Sequence, residues 1–337
     1  MKKLSIIDKF IYFINTLLAL ALLVSYLLPY ISPEKFPFLA ILSLFVPALI
    51  IINSLFVLYW LIKLKKQLLL STLILAVGWS FNSSLIQFSG KELSNKKGLS
   101  IMSYNVRMFN RWKWIDNDSI GKNIINFVKS KDADIVLFQE YYILEKEKLD
   151  YEYKYIKTQK KDNKTGLAIY SKYPIINKGS LNLENTSNNI IFIDIVKEKD
   201  TVRIYNFHLQ SLQLNTNEEN FGQENSEKLI ARLKESFKIQ AEQTKVFLEH
   251  EKAWKGKKIV AGDFNNTSYS WIYNQIANDK KDTFLEAGKG FGKTFNYWFP
   301  LRIDFILTDR NTSVNSYQSF QKQQNSDHFP ILTNISF

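Results

Sequence analysis

Three long apolar runs fill most of the first 88 of this chain's 337 residues, and they limit what it can fold into. They cover about residues 10–30, 36–62 and 68–88, and the first (FIYFINTLLALALLVSYLLPY) is almost unbroken. Each is close to the roughly 20 residues that cross a bilayer core. A cleaved signal peptide is the other reading of the first run. Its apolar stretch is too long, it lacks a small-x-small cleavage site, and two more runs follow. The sequence therefore predicts an N-terminal three-helix transmembrane region that meets the lipid bilayer through all three helices.

The lysines orient it. Lys2, Lys3 and Lys9 precede the first run, and Lys63, Lys65 and Lys66 separate the second from the third. Positive charge marks cytoplasmic segments, so the expectation is a multi-pass protein of a bacterial-type cytoplasmic membrane with its C-terminal part outside the cytoplasm. Lys91, Lys96 and Lys97 pull against that orientation. The absence of cysteine suits an exported domain without requiring one. The formal charge of +12 resembles a nucleic-acid footprint. However, the first 100 residues hold ten Lys against three acids, or +7, which leaves +5 for the other 237. Much of the basic character thus belongs to membrane topology, and the polyanion argument weakens.

Residues 89–98 (SGKELSNKKG) read as a polar linker, and 99–337 as a soluble α/β domain. LSIMSYN, ADIVLFQE, TGLAIYSKYPI, IIFIDIVKE, TVRIYNFHLQS, KKIVAGDFNN, RIDFILTD and HFPILTNISF read as strands. One helix is expected after Asp118 or Ser119, burying Ile120, Ile124, Phe127 and Val128 at helical spacing. A second is expected over roughly Ser226–Lys252. Helices are too few for long parallel crossovers, which favours two packed mixed or antiparallel sheets with flanking helices. GKGFGKT lacks the spacing of a phosphate-binding loop.

The strands end in chemistry. Asn105, Glu140 and His208 close three of them, Asp263 and Asn265 close a fourth, Asp304 lies in RIDFIL, and Asp327–His328 precede the last. Each alone has an ordinary alternative: a turn residue, a strand-end charge, a structural histidine, or an Arg302–Asp304 ion pair. His250, near the end of the long helix, reads as a surface residue. Taken jointly, the set describes metal-assisted phosphoester hydrolysis. Oxygen donors such as Asn105, Glu140 and Asp327 suit a hard cation, Mg²⁺ or Mn²⁺. Asp263 can deprotonate a water that Asn265 helps to position, and His328 beside Asp304 can stay cationic as a donor to phosphate.

SYNVRMFN, DIVLFQE, NFHLQS, GDFNN, RIDFILTD and SDHFPI occur in the order found in the endonuclease/exonuclease/phosphatase superfamily, which the chain resembles from about Leu99 to Phe337. The resemblance implies a four-layer α/β/β/α sandwich of two mixed sheets. It also implies metal-site positions at Asn105 and Glu140, a phosphate-binding role for His208, and a closing dyad at Asp327 and His328. An acid that often partners the first histidine finds no clear match between Tyr141 and Lys172. The N-terminal region lies outside the shared domain and resembles the anchors of some bacterial members. The expected substrate is a phosphodiester or pyrophosphate, lipid-linked or nucleic acid. A membrane-tethered hydrolase, an extracytoplasmic nuclease and a non-catalytic scaffold are the competing readings, and no protein partner is inferable.

Overall fold

The computed structural model describes residues 4–91, 98–144, 148–159, 164–184, 186–213 and 223–337, with side chains described from 226 in the last segment. Most of the predicted linker, and the start of the polar loop before the long helix, lie outside the described residues.

The chain begins with helices α1 (Ile6–Ser25), α2 (Pro37–Leu42), α3 (Val46–Ile62), α4 (Leu68–Val77) and α5 (Trp79–Asn82). Ser5 caps α1 by accepting from the Asp8 amide, and α1 runs through a short 3₁₀ turn to Tyr30. This is the one helix among the described residues that is long and apolar enough to cross a membrane. The expectation of three spans is corrected at the other two runs. Pro37 opens a six-residue helix and Pro47 opens the next, so the second run is broken near Ser43. Proline has no N–H to donate and disfavours helix in the residue before it. The third run stops at Val77–Gly78, and its last residues form strand β1 (Ile86–Gln87). The three longer helices pack around a buried polar seam. In it Asn15 donates to Ser71 Oγ (2.6 Å) and accepts from Trp60 Nε1 (2.9 Å), and Ser71 donates to Asn53 (2.9 Å).

The rest of the chain contains β2 (Leu99–Asn105), α6 (Ile120–Lys131), β3 (Ile135–Tyr142), β4 (Tyr153–Thr158), β5 (Thr165–Ser171), β6 (Ile175–Ser180), β7 (Asn189–Lys197) and β8 (Asp200–His208). Then come α7 (Gln223–Lys252), β9 (Lys257–Asp263), α8 (Trp271–Ala277), β10 (Lys280–Asp282), α9 (Thr283–Ala287), β11 (Gly290–Phe291), β12 (Asp304–Asp309), β13 (Ser313–Ser319) and β14 (Ile331–Ser336). One six-stranded sheet has the order β13-β14-β2-β3-β5-β4 and the other β10-β12-β9-β8-β7-β6. Both are mixed, with β2–β3 and β8–β9 parallel and the remaining pairs antiparallel. TGLAIYSKYPI, read as one strand, is split by Tyr173 and Pro174, where the chain leaves the first sheet for the second.

Strand side chains alternate between faces, and the layers follow from that. Inward residues such as Ile101, Leu137, Ile169, Ile193, Ile204, Ile259 and Ile306 fill the space between the sheets. Outward Met102, Val136 and Ala168 pack on Ile124 and Val128 of α6. Outward Tyr205, Phe207 and Val260 pack on Phe247 of α7 and Ile272 of α8. The result is helix, sheet, sheet, helix. His250 is not a surface residue: it is half-buried, 3.1 Å from the Tyr205 hydroxyl and against the Phe192 ring.

A polar suture crosses the apolar middle layer. Fully buried Asn206, on β8, donates to the carbonyls of Phe138 (2.9 Å) and Ala168 (3.1 Å) in the opposite sheet and accepts from Gln139 Nε2 (2.7 Å). The β3–β5 register shifts beyond Phe138, so the local ladder is interrupted there and Asn206 serves carbonyls beside the break. Asn206→Ala strands buried groups at about 1–3 kcal/mol each. It is therefore expected to lower unfolding stability by at least about 2 kcal/mol in denaturant titration of the full chain in micelles.

Candidate active site

The inward faces turn polar toward one end of the sandwich. Ile101–Ser103–Asn105, Ile135–Leu137–Gln139, Ile204–Asn206–His208 and Ile259–Ala261–Asp263 each start apolar and finish polar. The register aligns them, because His208 and Asp304 both pair with Asp263, and Asn105 pairs with Gln139. All eight sequence-predicted residues meet at this end.

Asp263, only 1% exposed, lies at the centre. Its Oδ1 accepts from the Asn265 amide (2.8 Å), and its Oδ2 accepts from Asn105 Nδ2 (3.0 Å) and Asn265 Nδ2 (3.3 Å). The same Oδ2 is 3.7 Å from His328 Nε2 and 3.8 Å from His208 Nε2. Burial pushes the Asp263 carboxyl up, against the pull of His328. Asn265 reaches back because its φ is +49°, a conformation that Asn tolerates, and its Nδ2 also donates to Leu209 O (3.0 Å).

His328 Nδ1 is 2.9 Å from Asp304 Oδ2. Burial disfavours its charged form, but the Asp304 and Asp263 carboxylates outweigh that and raise its pKa. The ring is thus held as an imidazolium. Asp304 is fixed in turn by Thr294, whose Oγ1 accepts from the Ile303 and Asp304 amides (3.0 Å each). This is the role of the threonine in GKGFGKT. Arg302 does not pair with Asp304; it pairs with buried Asp282 instead.

His208 is the electrostatic opposite. Burial, reinforced by cationic His328, lowers it to about 3, so it is neutral near pH 7. Its Nε2 is buried without a hydrogen-bond partner, 3.8 Å from Glu140 Oε1. Among the described residues, Glu140 and Asp263 are the carboxylates within 4 Å of the ring, and none in 141–172 partners it.

Glu140 occupies the β3–β5 irregularity with φ +47°, which aims its carboxylate inward. Burial and the neighbouring Asp327 charge raise its pKa, and it accepts from Asn105 Nδ2 (3.3 Å). Asn105 Oδ1 accepts from the Arg107 amide (3.1 Å). Asp327 is held by Arg107 Nε (3.3 Å) and the Ser326 hydroxyl (3.2 Å). The Asp327 charge reaches Glu140, and the two carboxylates with the Asn105 carboxamide, whose Oδ1 already accepts from the Arg107 amide, are the residue types that suit a hard divalent cation. Asp263, Asp304 and His328 also bring ligand atoms within 4.8 Å of one another. There, however, the imidazole is already hydrogen-bonded and protonated, which suits a dyad better than a ligand.

Sequence reasoning missed Arg107, Thr294 and the Asn206–Gln139 pair. The signal for Asn206 and Gln139 was available, as polar residues at inward positions of apolar strands. No signal marked Arg107–Asn110, four consecutive non-glycine residues with φ between +41° and +62°. That left-handed turn places Arg107 on Asp327 and stacks it on Trp114 (4.6 Å); such strain concentrates at functional sites.

The helical region docks beside this end. Thr267 Oγ1 donates to Ser43 O (3.0 Å), Asn274 Nδ2 donates to Pro29 O (3.0 Å), and Leu212 packs with Ile41 and Leu44. A cavity of about 370 Å³ adjoins Glu140 and His208. A larger one, about 730 Å³, opens around Trp254 and Lys257 and is lined by none of the eight residues.

Residues 102–328 match the model of the Endonuclease/Exonuclease/phosphatase family, and 8–85 match a domain of unknown function (DUF8431). No curated protein matches the chain. Among solved structures, a mannosyl-6-phosphatase from Bacteroides thetaiotaomicron is 18% identical, with TM-score 0.52 over 71% of this chain and 100% of its own. An endonuclease/exonuclease/phosphatase from Bacteroides vulgatus is 18% identical, with TM-score 0.53 over 72% and 100%. D. rerio TDP2 complexed with single strand DNA product is 15% identical, with TM-score 0.52 over 72% and 100%. These likenesses show the shared fold.

Gly262, just before Asp263, has φ +133°, and a Cβ there would lie 2.2 Å from Phe207 O. Gly262→Ala is expected to lose at least about 2 kcal/mol of stability, the scale of a strained backbone plus a clash, as read by thermal unfolding.

Proposed function

The chain belongs to the endonuclease/exonuclease/phosphatase family, and from that premise we propose that it is a divalent-metal-dependent phosphoester hydrolase held at a membrane. The observation that carries the reading is the pairing of oppositely tuned groups around one buried carboxylate. Asp263 lies within 3.8 Å of an imidazolium, His328, and of a neutral imidazole, His208.

In this mechanism Asp263 Oδ2 takes a proton from the attacking water, and its raised pKa brings it nearer to that of a useful base. Asn265 holds the carboxylate through both its backbone and side-chain N–H groups. His328, locked by Asp304, donates from Nε2 to a phosphate oxygen as charge builds there. Neutral His208 turns its unpaired Nε2 toward the same space as a second phosphate contact. Glu140, Asn105 and Asp327 would hold Mg²⁺ or Mn²⁺, which when bound supplies positive charge to neutralise a phosphate oxygen.

Anchoring is supported by the 25-residue apolar segment Ile6–Tyr30, whose Ile7, Phe10, Phe13, Leu17, Leu20 and Val24 face outward. The shorter apolar helices α3 and α4 pack against it. The lysine bias favours an extracytoplasmic hydrolase domain on a bacterial-type cytoplasmic membrane. Because the helices dock beside the site, a lipid-linked phosphoester is within its reach. The nuclease alternative draws on exposed Trp112 and Trp114, which offer faces for bases, and on the DNA-bound neighbour TDP2.

Asp263→Ala and His328→Ala are each expected to cut phosphate-ester turnover by at least about 100-fold, and a chelator should abolish it. Full activity in both variants would refute the assigned roles. On alkaline carbonate extraction of cell membranes the full chain should stay in the pellet; its release would remove the anchor.

A further inference from the structure

Strands β8 and β9 are parallel neighbours, so the chain leaves both at the same end of the sandwich, with His208 and Asp263 paired in register as their last residues. The two exits touch. The Leu209 amide donates to Asp263 O (3.1 Å), and Asn265 Nδ2 donates to Leu209 O (3.0 Å). Beyond these contacts the ladder ends, and the spacing of the two side chains depends on what fixes the loops that follow them.

A glutamine from the neighbouring helix layer does this. Gln240 lies in the middle of α7 and is wholly buried. Its Nε2 donates to Gln210 O (2.7 Å) and to Asn265 O (3.1 Å), and its Oε1 accepts from Asn266 Nδ2 (2.8 Å). The two carbonyls fix the orientation of the amide, because a flipped group would set its oxygen against theirs. Each carbonyl belongs to the second residue beyond a strand's last side chain: Gln210 after His208, and Asn265 after Asp263. One side chain therefore spans both exits at matching positions. Gln243, one turn further along α7, takes the other half of the Gln210 backbone, its Oε1 accepting from the Gln210 amide (2.8 Å).

The Asn265 end carries the argument furthest. Its amide and its Nδ2 both donate to Asp263 (2.8 and 3.3 Å), and its φ of +49° is a left-handed conformation that persists where the surroundings enforce it. With both donors given to Asp263, the carbonyl is the remaining backbone handle on Asn265, and Gln240 holds it. The helix that supplies Gln240 is seated on both sides. Ala241 and Phe247 join the cluster of Phe207 and Val260 on the sheet, while Leu233 and Phe237 pack with Ile41 and Leu44 of the helical region.

We propose that Gln240 is a positioning residue for hydrolysis, setting the spacing of Asp263 and His208 by clasping the chain two residues beyond each. It acts through the two loops and not on the substrate. The proposal rests on the hydrolase reading for its effect on rate, whereas the clasp itself can be read from histidine ring signals that need no turnover.

The test uses the full chain in nanodiscs with Mg²⁺, p-nitrophenyl phosphate and bis(p-nitrophenyl) phosphate as probes, and isotope-labelled histidine, of which the chain has three. Gln240→Met keeps the volume and removes the amide. It should lower kcat by at least about tenfold, since small misplacements of reacting groups carry penalties of that order or more, with KM within about twofold of wild type. The His208 ring signal should shift, while that of His250, held against Phe192 further along α7, should stay. Thr244→Val is the control, because its buried hydroxyl bonds back into α7 at Gln240 O (2.8 Å); kcat and the His208 signal should both be unchanged. Gln240→Asn, an amide one methylene too short to span both carbonyls, should give the same split if the Met variant does not fold. Wild-type kcat in a folded Gln240 variant, an unmoved His208 signal, or an equal loss in Thr244→Val would overturn the proposal. If wild type hydrolyses neither ester, a His208 signal displaced by Gln240→Met and not by Thr244→Val keeps the clasp and counts against the hydrolase; an unmoved signal removes the clasp.

Discussion

A carboxylate almost wholly withdrawn from water, Asp263, is the constraint on which the remaining site depends. An isolated buried charge is prohibitively unfavourable, so the surrounding structure must supply what water would. It does so from both sheets and from two loops: Asn105 across the sandwich, the Asn265 amides immediately after the strand, and His328 from the segment before β14. Each donor is positioned by its own device. A glycine that alone fits against Phe207 O opens the loop, a left-handed Asn turns back on the carboxylate, and a ring is pinned by Asp304.

The two histidines show how environment divides labour between identical side chains. Both are buried, and burial disfavours the charged form of each. His328 has Asp304 at hydrogen-bond distance and stays cationic; His208 has only more distant carboxylates and a cationic neighbour, and stays neutral. Groups whose protonation is driven apart in this way can take different tasks at one pH. Both lie where the inward faces of strands lose their apolar residues, so the chemistry occupies the polar end of a space whose other end is core.

The polar floor and the N-terminal helices extend that logic outward. Asn206 and Gln139 hold the sheets together just below the site, beside the irregularity that aims Glu140. Above it, Thr267 follows GDFNN directly and is anchored on Ser43 of the helical region. The apolar N-terminal region is thus in contact with the segments that follow Asp263 and Asn265. Orientation of the site relative to the helical region follows from a handful of hydrogen bonds at this junction.

Most of the strands, the layer order and the eight polar positions were legible in the sequence because they are local or periodic, whereas the edge strands β4, β10 and β13 went unread. Alternation marks a strand's two faces, and a carboxylate or amide ending an apolar strand is conspicuous. The helical spans, read from composition, were less secure: run length does not reveal that Pro37 and Pro47 break the second run or that Ile86–Gln87 pairs with Gly290–Phe291. Tertiary structure alone decided that Arg302 pairs with Asp282 rather than Asp304, that His250 packs on Phe192, and that Arg107 turns left-handed onto Asp327. It also decided the opposite charge states of His208 and His328. The sequence determined which groups were available and on which face of each strand they lay. Their partners and protonation were set by strand register and burial, which exist only once residues far apart in the chain have been brought together.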